Sequence, residues 1–322
     1  MNLEKEVLIE VEHMKKYFKH SENIFDKKQV KVVDDISLTI HKGETLGLVG
    51  ESGCGKSTLG RCIVRLLKPT SGKVKFKGEE ITKENEDKFA TDLQMIFQDP
   101  LSALNPRMTV FDIIAEPMIV QKTCDAAERE RRVYELMDFV GLRPETAHRY
   151  PHEFSGGQCQ RIGIARTMAL NPSFIVCDEP VSALDVSIKA QIINMFIDIQ
   201  KKTDVSYLFI THDLLTARYI SHRIAVMYLG KIVEIAPTDE LYDNPAHPYT
   251  KALLSAISPP NLDDLKKKKR IALEGEIPSP ANAPSGCPFR TRCKYDSEKC
   301  VQETPPLKDI GNGHYAACYL ID

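Results

Sequence analysis

Residues 45–58 read TLGLVGESGCGKST, and this stretch decides the fold. Thr45, Leu46, Leu48 and Val49 form the short apolar run of a strand buried on both faces, and Gly50, Gly53 and Gly55 then interrupt it. Lys56, Ser57 and Thr58 open a helix expected to run to about residue 67. The pattern is G-x-x-x-x-G-K-S. Its glycines let the backbone N–H groups of Gly50, Gly53, Cys54 and Gly55 turn toward one centre, and the helix N-terminus adds partial positive charge. Both features favour a polyphosphate. Lys56 is then expected to reach the β- and γ-phosphates, the Ser57 hydroxyl to bind Mg2+, and Thr58 to sit near the α-phosphate.

The remaining composition is compatible with a large α/β domain and a smaller appendage. The chain has 322 residues, 42% of them hydrophobic, which is enough for a full core. With 43 basic against 45 acidic residues the net charge is −2, so nothing global draws the protein to nucleic acid or to an anionic surface. No apolar segment approaches the roughly 20 residues needed to span a bilayer, and the N-terminal MNLEKEV lacks the apolar stretch of a signal peptide, so a cytosolic location is expected.

Before the glycine loop, residues 8–11 and 32–40 read as strands around a lysine-rich loop, with Phe18 near the end of the first. An aromatic there serves either as core or as a platform for a nucleotide base. After the loop, residues 72–78 suggest a hairpin, and residues 93–97 form a strand leading into Gln98. From about 101 to 158 the pattern turns helical, with apolar residues at three- and four-residue spacing in 110–119 and 128–140, so an inserted helical subdomain is expected. It ends in Phe154-Ser155-Gly156-Gly157-Gln158, a serine and two glycines opening a helix, which is either an ordinary N-cap turn or a second anion cradle.

Residues 174–177 are apolar and run straight into Asp178 and Glu179. Carboxylates at the exit of a buried strand stand where open α/β sheets place their chemistry: Asp178 suits Mg2+, and Glu179 suits polarising an attacking water. After an amphipathic helix to about 201, residues 207–210 form another buried strand, leaving through Thr211, His212 and Asp213 into the same cleft. Residues 223–228 and 231–235 read as a closing hairpin.

The set GESGCGKST, QDP, FSGGQ, IVCDEP, SALD and ITHD, in one chain and one order, resembles the ATP-binding-cassette ATPases over residues 8–236. The resemblance implies a P-loop α/β fold with a mixed sheet core, an antiparallel β subdomain and an inserted helical subdomain. It also implies roles. Phe18 would stack on adenine, Gln98 would sense Mg2+ and couple to a transmembrane partner, and His212 would act as a γ-phosphate switch. Ser155 and Gly157 would contact ATP held by a second cassette, in a head-to-tail dimer with Asp185 near the seam. The stretches IFQDPLSALNPRMT, RYPHEFSGGQCQRIGIAR, MYLGKIVEIA and NPAHPYTKALL are similar to the ATPases of dipeptide and oligopeptide importers, and SGGQCQR to the second of the two ATPase subunits such importers use. That implies ATP hydrolysis driving peptide import at the cytoplasmic face of the membrane. The partners implied are another ATPase subunit, two permeases and an external peptide-binding protein, with no nucleic acid. Importers of nickel and other small solutes share the subfamily, and a redox-sensing regulator, with the cassette as switch and a cluster as input, is the other alternative.

The cassette is expected over 1–236 and a C-terminal extension over 237–322. In the extension, residues 244–254 suggest a helix after Pro248, 262–270 carry the basic run LKKKKR, and 277–286 form a proline-containing connector. Then come Cys287, Cys293, Cys300 and Cys318. Four cysteines so placed in a reducing compartment argue against disulfides and leave three readings: a 4Fe-4S cluster, zinc, or no metal. The spacing lacks the close C-x2-4-C knuckles of zinc sites, and some peptide-importer ATPases carry an iron–sulfur cluster in a similar region. Cys54, Cys62, Cys124, Cys159 and Cys177 are expected to be packing residues.

Overall fold

The computed structural model describes residues 6–21, 27–257 and 271–321. The LKKKKR run lies outside the described residues. Two sheets share the molecule. One is antiparallel, in the order β2-β1-β4-β5, built from β1 (Val7–Ser21), β2 (Lys27–His41), β4 (Ser71–Phe76) and β5 (Glu79–Glu80). The other has eight strands in the order β11-β12-β10-β9-β3-β8-β7-β6.

Four consecutive strands of the larger sheet, ending at its edge strand β6, are β3 (Thr45–Val49), β8 (Ser206–Thr211), β7 (Phe174–Asp178) and β6 (Leu93–Ile96). They pair in parallel, Asp178 opposite Ile210 and Val49 opposite Thr211, so the loops leaving β3, β8, β7 and β6 line one edge side by side. Alternation along the strands divides the core. Phe174, Val176, Leu208 and Ile210 face the antiparallel sheet and helix α1 (Lys56–Ile63), whereas Ile175, Cys177, Tyr207 and Phe209 face the helical side. That second core is completed by α2 (Val110–Gln121), α3 (Ala126–Phe139), α4 (Gly156–Met168) and α5 (Val186–Thr203).

Several expected boundaries shift. The first two strands are much longer than their apolar runs, because each pairs with the other through the polar residues, with Phe18 opposite Val30. Phe18 therefore lies within a strand. Cross-strand backbone bonds, which side-chain pattern does not report, extend them. Helix α1 ends at Ile63, short of residue 67, with Arg65 at φ 61° just beyond it. A short helix, α6 (Leu214–Ile220), capped by Asp213 on the amides of Leu215 and Thr216, was not signalled by periodicity. The hairpin β9 (Arg223–Tyr228) and β10 (Lys231–Pro237) forms, but β9 also pairs in parallel with β3.

The extension is woven into the cassette. Helices α7 (Thr238–Asp243) and α8 (Pro248–Ser255) follow β10, and the late hairpin β11 (Lys308–Gly311) and β12 (His314–Ala316) adds two strands to the main sheet, with Glu234 opposite Ala316. The sheet thus runs across the boundary expected at residue 236. Glu234, fully buried, accepts from the amides of Ala246 and His247 at 2.7 and 2.9 Å and bonds His314 Nε2 at 2.7 Å, tying two parts of the extension to one carboxylate.

Candidate functional site

The edge where β3, β8, β7 and β6 end collects the residues singled out in the sequence. The loop after β3 is shaped by its glycines. Gly55 takes φ 108°, and a Cβ there would sit 2.2 Å from the Val32 carbonyl; at Gly50 a Cβ would sit 2.2 Å from the Met227 carbonyl. Only glycine fits such close backbone approach. Ser52 and Gly53 are exposed at the mouth, and Ser57 and Thr58 are half-buried. Lys56 is 5% exposed and folds back, donating to Gly50 O at 2.9 Å and Glu51 O at 3.1 Å. The Cys54 side chain is buried and its amide donates to Glu51 O at 3.3 Å.

Ser57 Oγ donates to Asp178 Oδ1 at 2.6 Å, and Arg61 stands 3.8 Å from the other carboxylate oxygen. Burial, chiefly, pushes the Asp178 carboxyl above its ordinary range, with Glu179 adding to the rise and Ser57 and Arg61 opposing it. Glu179 follows at φ 46°, a conformation costly for a residue with a side chain and one that occurs preferentially at working sites. Its Oε2 lies 3.0 Å from His212 Nδ1, and Gln98 Nε2 donates to it at 3.4 Å. Glu179, His212, Gln98, Asp178 and Ser57 are thus brought into one linked group at the strand ends. The hard oxygen donors Ser57 and Asp178, facing each other, fit a Mg2+ ion.

Three expected residues stand elsewhere. Phe18 is 40% exposed on β1, with Lys16 Nζ 5.0 Å from its ring centroid. Ser155 is exposed and caps α4, accepting from Gln158 N at 3.4 Å while Gln158 Oε1 accepts from Ser155 N at 3.0 Å. Gly157 is packed so closely that a Cβ would meet Ile188 Cγ2 at 2.6 Å. The Ser155 turn belongs to the helical side and makes no bond to the loop of its own chain among the described residues.

Beside Gln98 a cleft of about 590 Å3 opens, lined by Gln94, Phe97, Pro100, Glu116, Val120 and Arg166 among others. Arg166 and Glu116 pair across it at 3.3 Å, while Phe97 and Val120 are exposed.

The chain matches the ABC transporter model over residues 33–182 and the model for the C-terminal region of oligopeptide and dipeptide transporters over residues 233–300. It is 50% identical over 321 residues to the oligopeptide transport ATP-binding protein AppF of Bacillus subtilis, covering 98% of each chain. The chain belongs to the ABC transporter family. It is an ABC ATPase. It is also 49% identical to the oligopeptide transport ATP-binding protein OppF of Escherichia coli, over 99% of this chain and 97% of that one. Among solved structures it resembles the dimeric bacterial ABC transporter cassette MJ0796, with TM-score 0.64 and 27% identity over 72% of this chain and 99% of that one. No helix among the described residues is long and apolar enough to cross a membrane.

Cys287, Cys293 and Cys300 pack in one cluster and Cys318 lies near enough to act on Cys287, yet the metal centre expected from the sequence is not found: among the described residues, no group of three or more His, Cys, Asp or Glu is arranged to hold a metal ion. Burial pushes the Cys287 thiol up to about 11 and raises Cys293 and Cys318, and each is raised further by Cys300. Backbone N–H groups two residues on, from Phe289, Tyr295 and Leu320, counter the rise at Cys287, Cys293 and Cys318 respectively. The other cysteines behave as packing residues, with Cys54, Cys62, Cys159 and Cys177 buried.

Sequence reading missed three residues at the loop. The Glu51 amide donates to Tyr249 Oη at 3.0 Å, and the Glu51 carboxylate takes Arg292 in a forked pair at 2.8 and 3.2 Å. Glu51 is an unspecified position of the loop motif, and Arg292 and Tyr249 lie about 200 residues away or more. No local signal joins them.

Proposed function

We propose that this ABC ATPase binds ATP·Mg2+ at residues 50–58 and hydrolyses it to drive import of dipeptides or oligopeptides. The observation that carries the chemistry is the linked group at the strand ends, Ser57–Asp178 beside Gln98–Glu179–His212. Lys56, released from the carbonyls of Gly50 and Glu51, moves onto the β- and γ-phosphates, and Phe18 stacks on the adenine. Bound Mg2+ neutralises developing charge on the phosphate oxygens. Ser57 and Asp178 hold that ion, and Gln98 borders it. Glu179 accepts the proton of the attacking water, and His212, sharing the same carboxylate oxygen, orients that group toward the γ-phosphate. The reaction is in-line displacement by water with no covalent intermediate.

The exposed Ser155 turn supports a composite site, in which Ser155 and Gly157 close over ATP held by a second cassette with Asp185 at the seam. The second cassette is a non-identical ATPase subunit. The cleft beside Gln98, with apolar Phe97 and Val120 exposed at its rim, suits a cytoplasmic segment of one of two permeases and so supports a peripheral subunit working at the cytoplasmic face of the membrane. An external binding protein delivers the peptide. The cassette spans residues 1–236, its helical subdomain about 101–158, and residues 237–322 form an extension that shares its sheet. The names of the relatives, oligopeptide transport ATP-binding proteins, favour peptide over nickel or another small solute. Transport by the assembled complex in proteoliposomes tests this: ATP-dependent uptake of labelled di- to pentapeptides is expected, and uptake of nickel without peptide overturns the substrate.

The four-thiol corner supports one finer reading, a structural 4Fe-4S cluster with zinc as the alternative, since amides directed at sulfur stabilise thiolate ligands. Iron, sulfide and zinc analysis after anaerobic purification decides it. One zinc without iron removes the cluster, and neither metal removes both.

A further inference from the structure

The segment from Cys287 to Cys293 lies against the nucleotide loop rather than hanging from the cassette. Phe289, 1% exposed, packs edge-on to Tyr228 at 5.3 Å and beside Tyr249 at 5.4 Å, and Tyr249 and Tyr228 are themselves 4.7 Å apart. Through this aromatic wedge the extension reaches the loop twice. Tyr249 Oη accepts the Glu51 amide, and the Arg292 guanidinium grips the Glu51 carboxylate with both terminal nitrogens at 2.8 and 3.2 Å. The Arg292 side chain is only 7% exposed, its Nε is buried without a partner among the described residues, and its guanidinium carbon is 6.0 Å from the Tyr228 ring centroid. A buried forked arginine pair of this kind fixes direction as well as distance. What it fixes matters, because the Glu51 carbonyl accepts from both Lys56 Nζ and the Cys54 amide. The backbone that Arg292 steadies is therefore the backbone that stores the phosphate-binding lysine.

We propose that Arg292 is a positioning residue for the nucleotide loop: by clamping Glu51 it holds the loop open for the triphosphate, so the C-terminal extension sets the affinity of the ATP site. The proposal rests on the loop being the ATP site and is independent of what the four cysteines bind. A loop that must order before it binds loses affinity and leaves the chemical step untouched, because Arg292 touches none of Glu179, His212 or Gln98.

The test uses the full chain and its assembled transporter. Arg292→Gln is expected to weaken MgATP binding, read by calorimetry, about tenfold, the effect of losing one charge-assisted hydrogen bond. KM for ATP rises in parallel while kcat stays within about twofold. Arg292→Lys keeps the charge without the fork and falls between the two. Glu51→Gln, a conservative change at a half-buried position, weakens binding similarly, and the double variant is no worse than either single one. Unchanged affinity in Arg292→Gln overturns the proposal. So does recovery on adding Glu51→Gln, since the arginine would then only neutralise a charge, and so does a fall in kcat with KM unchanged. Lys56→Ala, run alongside, separates the two readings: if it binds MgATP like the unmodified chain, the loop is not the ATP site and the proposal falls with it.

Discussion

Replacing Glu179 by Gln isolates the chemical step. The side chains are nearly isosteric, so with the amide oxygen in the place of Oε2 it can still accept from Gln98 Nε2, now 3.4 Å away, and from a protonated Nδ1 of His212, now 3.0 Å away. Neither contact is deeply buried, His212 being 59% exposed, so stability should change by no more than about 0.5 kcal/mol. The Ser57–Asp178 pair and the glycine loop are untouched, which leaves ground-state binding of ATP·Mg2+ intact. What disappears is the proton acceptor. A positioned general base contributes about 10²- to 10⁴-fold, or roughly 2.7–5.4 kcal/mol of barrier. Phosphate release by the assembled transporter should fall by that factor while equilibrium ATP binding is unchanged, and the closed pair of cassettes should accumulate on size-exclusion chromatography in ATP. A variant retaining more than about a tenth of the parental rate would refute the assignment of the base. Equal losses of binding and hydrolysis would refute it too, by moving the effect to the ground state.

His247, buried to 1% exposure with its Nδ1 accepting the Tyr249 amide at 3.1 Å, is held neutral by burial, with a pKa lowered to about 3. The unfolded chain binds this proton below about pH 6.5 and the folded one does not, so the stability that rests on neutral His247 is whole above 6.5 and is lost as pH falls toward 3. By pH 5 the loss should be about 2 kcal/mol, and His247→Asn, which keeps the cap, should remove that part of the acid slope in urea titrations at pH 7 and 5. Because burial raises the Asp178 carboxyl, Mg2+-dependent ATP binding should weaken on acidification earlier than an ordinary carboxylate predicts, and Asp178→Asn should abolish the Mg2+ dependence at every pH, read by calorimetry with and without the ion. Phe289→Ala should cost about 3–5 kcal/mol in thermal unfolding and render residues 271–321 sensitive to limited proteolysis, whereas resistance equal to the parent would mean the aromatic wedge does not hold the extension.

The central strands were legible because they are buried on both faces: residues 46–49, 174–177 and 207–210 carry no strongly polar side chain and do not alternate, and the last two stretches run into Asp178 and Thr211. That ending also made the site legible, since parallel strands deliver their exits to one edge and Asp178, Glu179, His212 and Gln98 each follow such an exit. The long outer strands β1 and β2 were legible only in part, because their polar residues are held by backbone pairing and carry little hydrophobic pattern. The last hairpin escaped notice for the same reason. Its KDIG strand is largely exposed and its HYA strand, though His314 and Ala316 are buried, is too short to carry a pattern; what fixes them is the edge of β10. The grip of Arg292 on Glu51 spans 241 positions, so spacing could not foretell it. The four cysteines were legible as a cluster in sequence, and they do gather in space, but the sequence carried no information on how their sulfurs would be aimed.

The seating of β12 on β10 has a consequence for biogenesis. On the ribosome β10 is complete roughly 80 residues, or about 4–16 s of synthesis, before the strand that covers its flank has been made. Throughout that interval the nascent sheet carries an open row of amides and carbonyls capable of recruiting a neighbouring chain. Truncations or stalls within that window should therefore produce aggregates rather than soluble, weakened enzyme.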